Sequence, residues 1–204
     1  MRWLPWLAGA YLLGAFPTSF VAGRLGRGID LREHGSKNLG ATNVFRILGW
    51  KYAIPVALID VAKGAVPVAL FGPWAALGGG WAAALGAVAV LGHVFSPFVG
   101  FKGGKGVATA AGMFLALAPI AVAIALPVWG LCLWLTGYVS LSSIVAAVTF
   151  PVWVRLTTPP PAALPAFYAS LALAALIVFS HRANIRRLLA GTESRFRTRK
   201  EIPA

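Results

Sequence analysis

Long apolar runs separated by short polar segments dominate the chain. Trp3–Val21 is the first run, and the polar stretch Arg24–Lys51 follows it. Tyr52–Phe71 and Gly78–Phe98 come next, parted by Gly72-Pro73 and by the glycine run that opens the third segment. A polar loop, Phe101–Gly106, leads into Val107–Leu156, whose only charge is Arg155. Pro159-Pro160-Pro161 breaks the pattern, and a last run, Ala162–Ser180, ends in a basic tail. A spanning helix takes about 20 apolar residues, with about 17 as the short limit, so these runs predict membrane spans. One Arg before the first run also fits the outline of a signal peptide. The rest of the chain is equally apolar and needs an inserted start, which favours a first span.

Composition sharpens this. Of 204 residues, 59% are hydrophobic and 11% charged, against about one-quarter charged in a soluble domain. A water-soluble fold is disfavoured, and disorder is excluded because disorder needs few apolar residues and much charge. The 18 Lys+Arg against 5 Asp+Glu give a formal +13. On a soluble chain that excess points to nucleic acid. On one this apolar it points to a basic cytoplasmic face and to no nucleic-acid partner.

The positions of the cations then set the topology. Six lie between Arg24 and Lys51, two are Lys102 and Lys105, and seven lie between Arg182 and Lys200. If all three clusters are cytoplasmic, the crossings between them are even in number: two before the loop, and four of about 18 residues each after it. The breaks are expected near Pro119, Gly137–Ser143 and Thr157–Pro161. With the first run, the prediction is an all-α integral membrane protein of seven transmembrane helices, N-terminus outside and C-terminus cytoplasmic. It forms a single membrane domain over 1–204, with polar cytoplasmic segments at about 24–51, 99–106 and 181–204. All three polar segments are then expected on the cytoplasmic face of the membrane. The fourth and fifth spans must be short or tilted. Cys132, the single cysteine, cannot form an intrachain disulfide and has no zinc-site spacing around it.

Parity thus forces three distant polar segments onto one face, where they can form one site. The first, Gly35 to Arg46, mixes small residues, hydroxyls, amides and cations. Gly40-Ala41 permits a tight turn whose N–H groups converge on an anion, Thr42 or Asn43 can cap the following helix, and Arg46 can clamp phosphate oxygens. The second places Lys102 and Lys105 among Gly103, Gly104 and Gly106 before an apolar helix, which reads as an anion nest. It is not a Walker A loop, because Gly106 stands where Ser or Thr is required. The third sets His181, Asn184 and Arg187 at i, i+3 and i+6 along a continuing helix, with Gly191 to end it. A solvated, headgroup-binding reading suits Lys102 and the cations from Arg195 to Lys200. Asp60 and Lys63, at i and i+3 inside the second run, are expected to pair with each other as structural support. His93 reads as structural.

At these segments the chain closely resembles the bacterial acyl-phosphate:glycerol-3-phosphate acyltransferase family, integral membrane enzymes of phospholipid synthesis. The resemblance rests on Ser36-x-Asn38-x-Gly40-Ala41-Thr42-Asn43-x-x-Arg46, on Gly92-His93-x-Phe95-Ser96-x-Phe98 with Phe101 to Thr109, and on His181-x-x-Asn184-Ile185-x-Arg187-Leu188 through Gly191 and Glu193. Asp60 to Gly64 and Tyr138 to Ser143 also match, so the likeness covers essentially the whole chain. Lys37 departs from it, standing where the family usually has Gly.

The resemblance implies transfer of a fatty acyl group from acyl phosphate to the 1-hydroxyl of glycerol 3-phosphate, giving lysophosphatidic acid and inorganic phosphate. It implies catalytic roles for Ser36, Arg46, Lys105, His181 and Asn184. Phosphate or acyl-phosphate contacts are implied for Asn38, Gly40, Ala41, Thr42, Asn43, Gly103, Gly104, Ser140 and Ser143. Asp60, Lys63, Arg187 and Glu193 would support them. His181 is the default general base by its unperturbed pKa, with substrate phosphate as the alternative. No metal, cofactor or obligatory protein partner is expected beyond the two substrates and the bilayer. Two other classes compete. An acyl-CoA or acyl-carrier-protein acyltransferase with a His-x-x-x-x-Asp dyad is disfavoured because no His here has that Asp. An anion or phosphate transporter would carry ionisable residues at mid-membrane in several helices, and only Asp60 and Lys63 qualify.

Overall fold

The computed structural model describes residues 2–76 and 79–196. The tail cations Arg197, Arg199 and Lys200 lie outside the described residues. Among those described the chain is all helical, without a strand. Helix α1 (Leu4–Ala15) stops at Phe16 because Pro17 excludes helical backbone before it, and α2 (Thr18–Arg27) continues the first span. A loop leads to α3 (Ala41–Leu48) and then α4 (Trp50–Val66), which extends through a π turn at Pro67–Phe71 to α5 (Gly72–Trp74). Helix α6 (Gly79–Val94) follows, then α7 (Val107–Leu117), α8 (Pro119–Thr136), α9 (Val139–Thr157), α10 (Ala163–Ser180) and α11 (Arg182–Leu189).

Among the described residues, six helical segments are long and apolar enough to cross a membrane: Leu4–Arg27, Trp50–Trp74, Gly80–Val99, Pro119–Thr136, Val139–Thr157 and Ala163–Ser180. The expected fourth span is α7, only 11 residues long, or about 17 Å at 1.5 Å per residue against about 30 Å of hydrocarbon. Proline sets that length. Pro119 forbids helical backbone at Ala118 (φ −147°, ψ 64°), so the chain reverses there. Helix α8 is about 10 Å longer than α7 and returns to Gly137, which leaves Lys105, at the start of α7, recessed. The other two breaks fall at Gly137-Tyr138, where Gly137 is left-handed, and after Thr157, before the proline run.

Small residues let α4 and α7 pack backbone to backbone. A Cβ on Gly64 would overlap the Thr109 carbonyl oxygen, and one on Gly112 would overlap that of Val61. One apolar core joins α6 to α10 through Val90, Met113, Phe114, Val122, Val154 and Ile177. A second, with Leu31, Val44, Ile47, Val56 and Val99, lies under the first polar segment. Large apolar side chains such as Leu58, Leu126, Trp134 and Leu156 remain exposed on the outer surface, as lipid-facing helices require.

Candidate active site

The first polar segment is a braced loop ending in a helix start. Asn43, 1% exposed, donates both amide hydrogens, to the Leu31 and His34 carbonyls, and its Oδ1 accepts from the Ser36 N–H. Its side chain therefore shapes the loop from within. Lys37 has φ 58°, left-handed backbone that costs a side-chain-bearing residue roughly 1–2 kcal/mol. The loop thus keeps a glycine-compatible shape at the position where this chain departs from its resemblance. Helix α3 starts at Ala41 with Gly40 accepting from Asn43 and Val44, and Gly40, Ala41 and Thr42 face the cavity described below. Arg46 lines that cavity too. One guanidinium nitrogen donates to the Ser194 carbonyl at 3.2 Å, while its buried Nε has no protein partner. Burial, partly opposed by the Glu193 charge, lowers its pKa from the ordinary arginine value.

The glycine turn before α7 differs from the expected nest. Gly103 N–H donates to the Val94 carbonyl and Gly104 N–H to that of His93, so both donors are spent closing the end of α6. What the turn presents is Lys105. Its ammonium donates to Asn184 Oδ1 at 2.5 Å, and burial draws its pKa down to about 8 against the pull of the Glu193 carboxylate. Lys102, which directly precedes the turn, is exposed.

The last helix does not run through His181. Helix α10 ends at Ser180, His181 sits at the junction (φ −93°, ψ 6°), and α11 starts at Arg182. His181 is 3% exposed and its Nδ1 is 2.8 Å from the Ile177 carbonyl. In a neutral ring that contact puts the hydrogen on Nδ1 and leaves Nε2 as the acceptor. Burial, then the Lys105 charge, pushes the imidazole down to about 4. Glu193 closes the cluster. Its carboxylate accepts from Ser140 Oγ at 2.7 Å, Asn184 Nδ2 at 2.6 Å and Arg187 Nε at 2.6 Å. Burial works to raise the Glu193 carboxyl, but these three donors outweigh it and hold it below the usual carboxylate range.

Beyond Glu193 the chain straps across the site. Phe196 stacks on Phe45 with ring centroids 5.0 Å apart, its N–H donates to the Gly137 carbonyl, and Arg195 lies over the Tyr138 ring. Sequence reasoning read Arg195 onward only as membrane-surface charge and missed this strap. A lone aromatic among the tail cations is the one sign of it in the sequence. Ser143, expected at the site, lies on the cavity wall, where its Oγ donates to the Val139 carbonyl and accepts from Trp129.

One cavity of about 510 Å³ collects these parts. Ser36, Asn38, Thr42, Arg46, Lys105, Ser140, His181, Asn184 and Glu193 line it, and the starts of α3, α7 and α9 all border it. A helix start carries partial positive charge and free N–H groups, so three of them with two cations make a strong anion site. The rest of the wall is apolar: Phe114 of α7, Val122 and Leu126 of α8, Phe150 of α9, and Leu173 and Ile177 of α10. Among the described residues no group of three or more His, Cys, Asp or Glu side chains is placed to hold a metal.

Comparison with known proteins gives the same picture. A family model described as glycerol-3-phosphate acyltransferase matches residues 4–191. The glycerol-3-phosphate acyltransferase of Trichlorobacter lovleyi is 47% identical over 194 residues, covering 94% of this chain and 96% of that protein. That of Chlorobaculum parvum is 44% identical over 215 residues, covering 91% and 93%. Crystal structures of PlsY (YgiH), an integral membrane glycerol 3-phosphate acyltransferase, superpose with TM-scores of 0.86 for the glycerol 3-phosphate form and 0.83 for the lysophosphatidic acid form. Their identities to this chain are 39% and 38%, and each covers 94% of both chains. With a cationic, amide-lined pocket opening onto an apolar one inside a multi-pass helical bundle, the chain belongs to the glycerol-3-phosphate acyltransferase family.

Proposed function

We propose that this protein transfers a fatty acyl group from acyl phosphate to the 1-hydroxyl of glycerol 3-phosphate, releasing inorganic phosphate and lysophosphatidic acid. The observation that carries the reading is the two-natured cavity: three helix starts with Arg46 and Lys105 at one end, and an apolar arm between α7, α8, α9 and α10 at the other. Two phosphates and one acyl chain fit that division of charge and grease. An acyl phosphate is already activated, so the residues need only bind, orient, stabilise charge and relay one proton. The expected nest at Gly103 and Gly104 gives way to the start of α3 at Gly40, Ala41 and Thr42. Ser36, Asn38 and Ser140 line the same cavity.

In this mechanism the 1-hydroxyl oxygen attacks the acyl carbon, and the bond from that carbon to the phosphate oxygen breaks. Arg46 and Lys105 stabilise charge on the carbonyl and the leaving phosphate. Asn184, fixed between Lys105 and Glu193, helps orient glycerol 3-phosphate. His181 Nε2 accepts the hydroxyl proton and passes it to the leaving phosphate, whose newly released oxygen is far more basic than the buried imidazole. Bound anions beside His181 raise its pKa and strengthen it as a base.

The proposed topology keeps seven passes, with α7 as the short one, because α7 leaves the polar end and α8 returns to it. The N-terminus is then outside, and the three polar segments with the active site face the cytoplasm of the bacterial inner membrane. The test of function is purified protein offered glycerol 3-phosphate with acyl phosphate, acyl-CoA or acyl-carrier protein in turn. Lysophosphatidic acid should appear with acyl phosphate alone. Its appearance only with acyl-CoA would overturn the donor assignment.

A further inference from the structure

A buried polar cluster lies directly beneath the site and takes no part in the mechanism above. Asp60 of α4, Lys63 of α4 and His93 of α6 are 2%, 3% and 8% exposed. Lys63 donates to Asp60 Oδ1 and to the Phe16 carbonyl, at the break between α1 and α2. Thr18 Oγ1 donates to the same Asp60 oxygen at 3.0 Å, and His93 Nδ1 lies 3.7 Å from it. One carboxylate oxygen therefore gathers α2, α4 and α6. Ionisable groups at such depth are costly, and apolar packing would hold three helices together as well. The cluster's edge shows what it does instead.

That edge is the imidazole of His93. The turn carrying Lys105 lies flat on it: the Gly104 N–H donates to the His93 carbonyl at 3.1 Å, and a Cβ on Gly104 would overlap His93 Nε2. The ring also borders the substrate cavity. We propose that His93 is a positioning residue for Lys105. The imidazole, packed beside Asp60, seats Gly104, and the seat sets where the next residue delivers its ammonium toward Asn184 and the reacting phosphate. Glycine is required at 104 because the ring and the Leu39 carbonyl fill the space of a side chain.

The inference rests on the acyl-transfer reading, and the experiment separates the two. Wild-type turnover tests the reaction, and if another donor proves to be the substrate, the variants are compared on that donor. A misplacement of about 1 Å can cost roughly 100-fold, so His93→Ala and Gly104→Ala should each lower kcat roughly 10- to 100-fold. KM should change by no more than about threefold, and His93→Gln, which keeps a polar group near the Nε2 position, should recover part of the rate. The deciding measurement is a double-mutant cycle with Lys105→Arg. If His93 acts through Lys105, His93→Ala adds little further loss in that background. Losses that multiply, or an active His93→Ala with wild-type kcat, overturn the proposal. Should His93→Ala fail to fold, Gly104→Ala and His93→Gln carry the same cycle.

Discussion

The Lys105 ammonium donates to Asn184 Oδ1 across 79 positions of sequence. Asn184 in turn donates to Glu193, so its amide is fixed in one orientation and couples the cation to the carboxylate. The second and third polar segments are joined by this single side chain, and Arg46 of the first reaches them through the Ser194 carbonyl. Substrate anions entering here meet cations that are already held in place.

Position, not charge alone, should decide which cations matter. Removing one group that stabilises transition-state charge costs about 100- to 1,000-fold. Lys105→Ala and Arg46→Ala are each expected to lower kcat/KM by that order, while exposed Lys102→Ala stays within about twofold. Equal, mild losses in steady-state assays would reduce all three to headgroup anchors.

The pH profile should carry the signature of Lys105. Its pKa of about 8 is drawn down by burial, so the ammonium is lost as pH rises through that value. Because kcat/KM reports the free enzyme, it should fall above about pH 8 through one ionisation. Lys105→Arg, whose charge persists, should abolish that limb even while it lowers the rate. A limb that survives in Lys105→Arg belongs to another group.

His181→Ala tests the base. General acid–base groups contribute about 100-fold or more, so kcat should drop by at least that much. The depressed pKa keeps the ring of the free enzyme neutral at pH 7, and the loss in kcat/KM, which reports the free enzyme, should therefore vary little between pH 6 and pH 8. Retention of a third of the wild-type rate would leave proton removal to phosphate alone.

Glu193 is expected to matter for the fold as well as the chemistry. Glu193→Ala leaves Ser140, Asn184 and Arg187 without their shared acceptor, at a cost of about 2 kcal/mol. For a chain of this size that lowers the melting midpoint by roughly 4–8 °C. Glu193→Gln retains an acceptor and should lose less. An unchanged midpoint for the alanine variant would show that water replaces the carboxylate freely.

The sequence by itself determined most helices and their proline and glycine breaks, though not the one at His181, because proline, glycine and apolar run length act locally. Pro17, Pro119, Gly137 and the proline run each stop a helix through their own backbone geometry. The clustering of Arg46, Lys105 and Asn184 in separate polar segments was legible for the same reason: cations and amides between apolar spans cannot be buried in lipid. Tertiary structure decided the rest. Whether α7 is a full span depends on where Ala118 lets the chain turn. Whether Gly103 and Gly104 offer free N–H groups depends on the carbonyls at the end of α6, and the working state of His181 depends on burial beside Lys105. The strap from Glu193 to Phe196, and the seat that His93 makes for Gly104, are contacts between residues distant in sequence or shaped by packing. Beyond the lone aromatic Phe196, no local pattern encodes them, because the free energy of such contacts appears only once the helices have met.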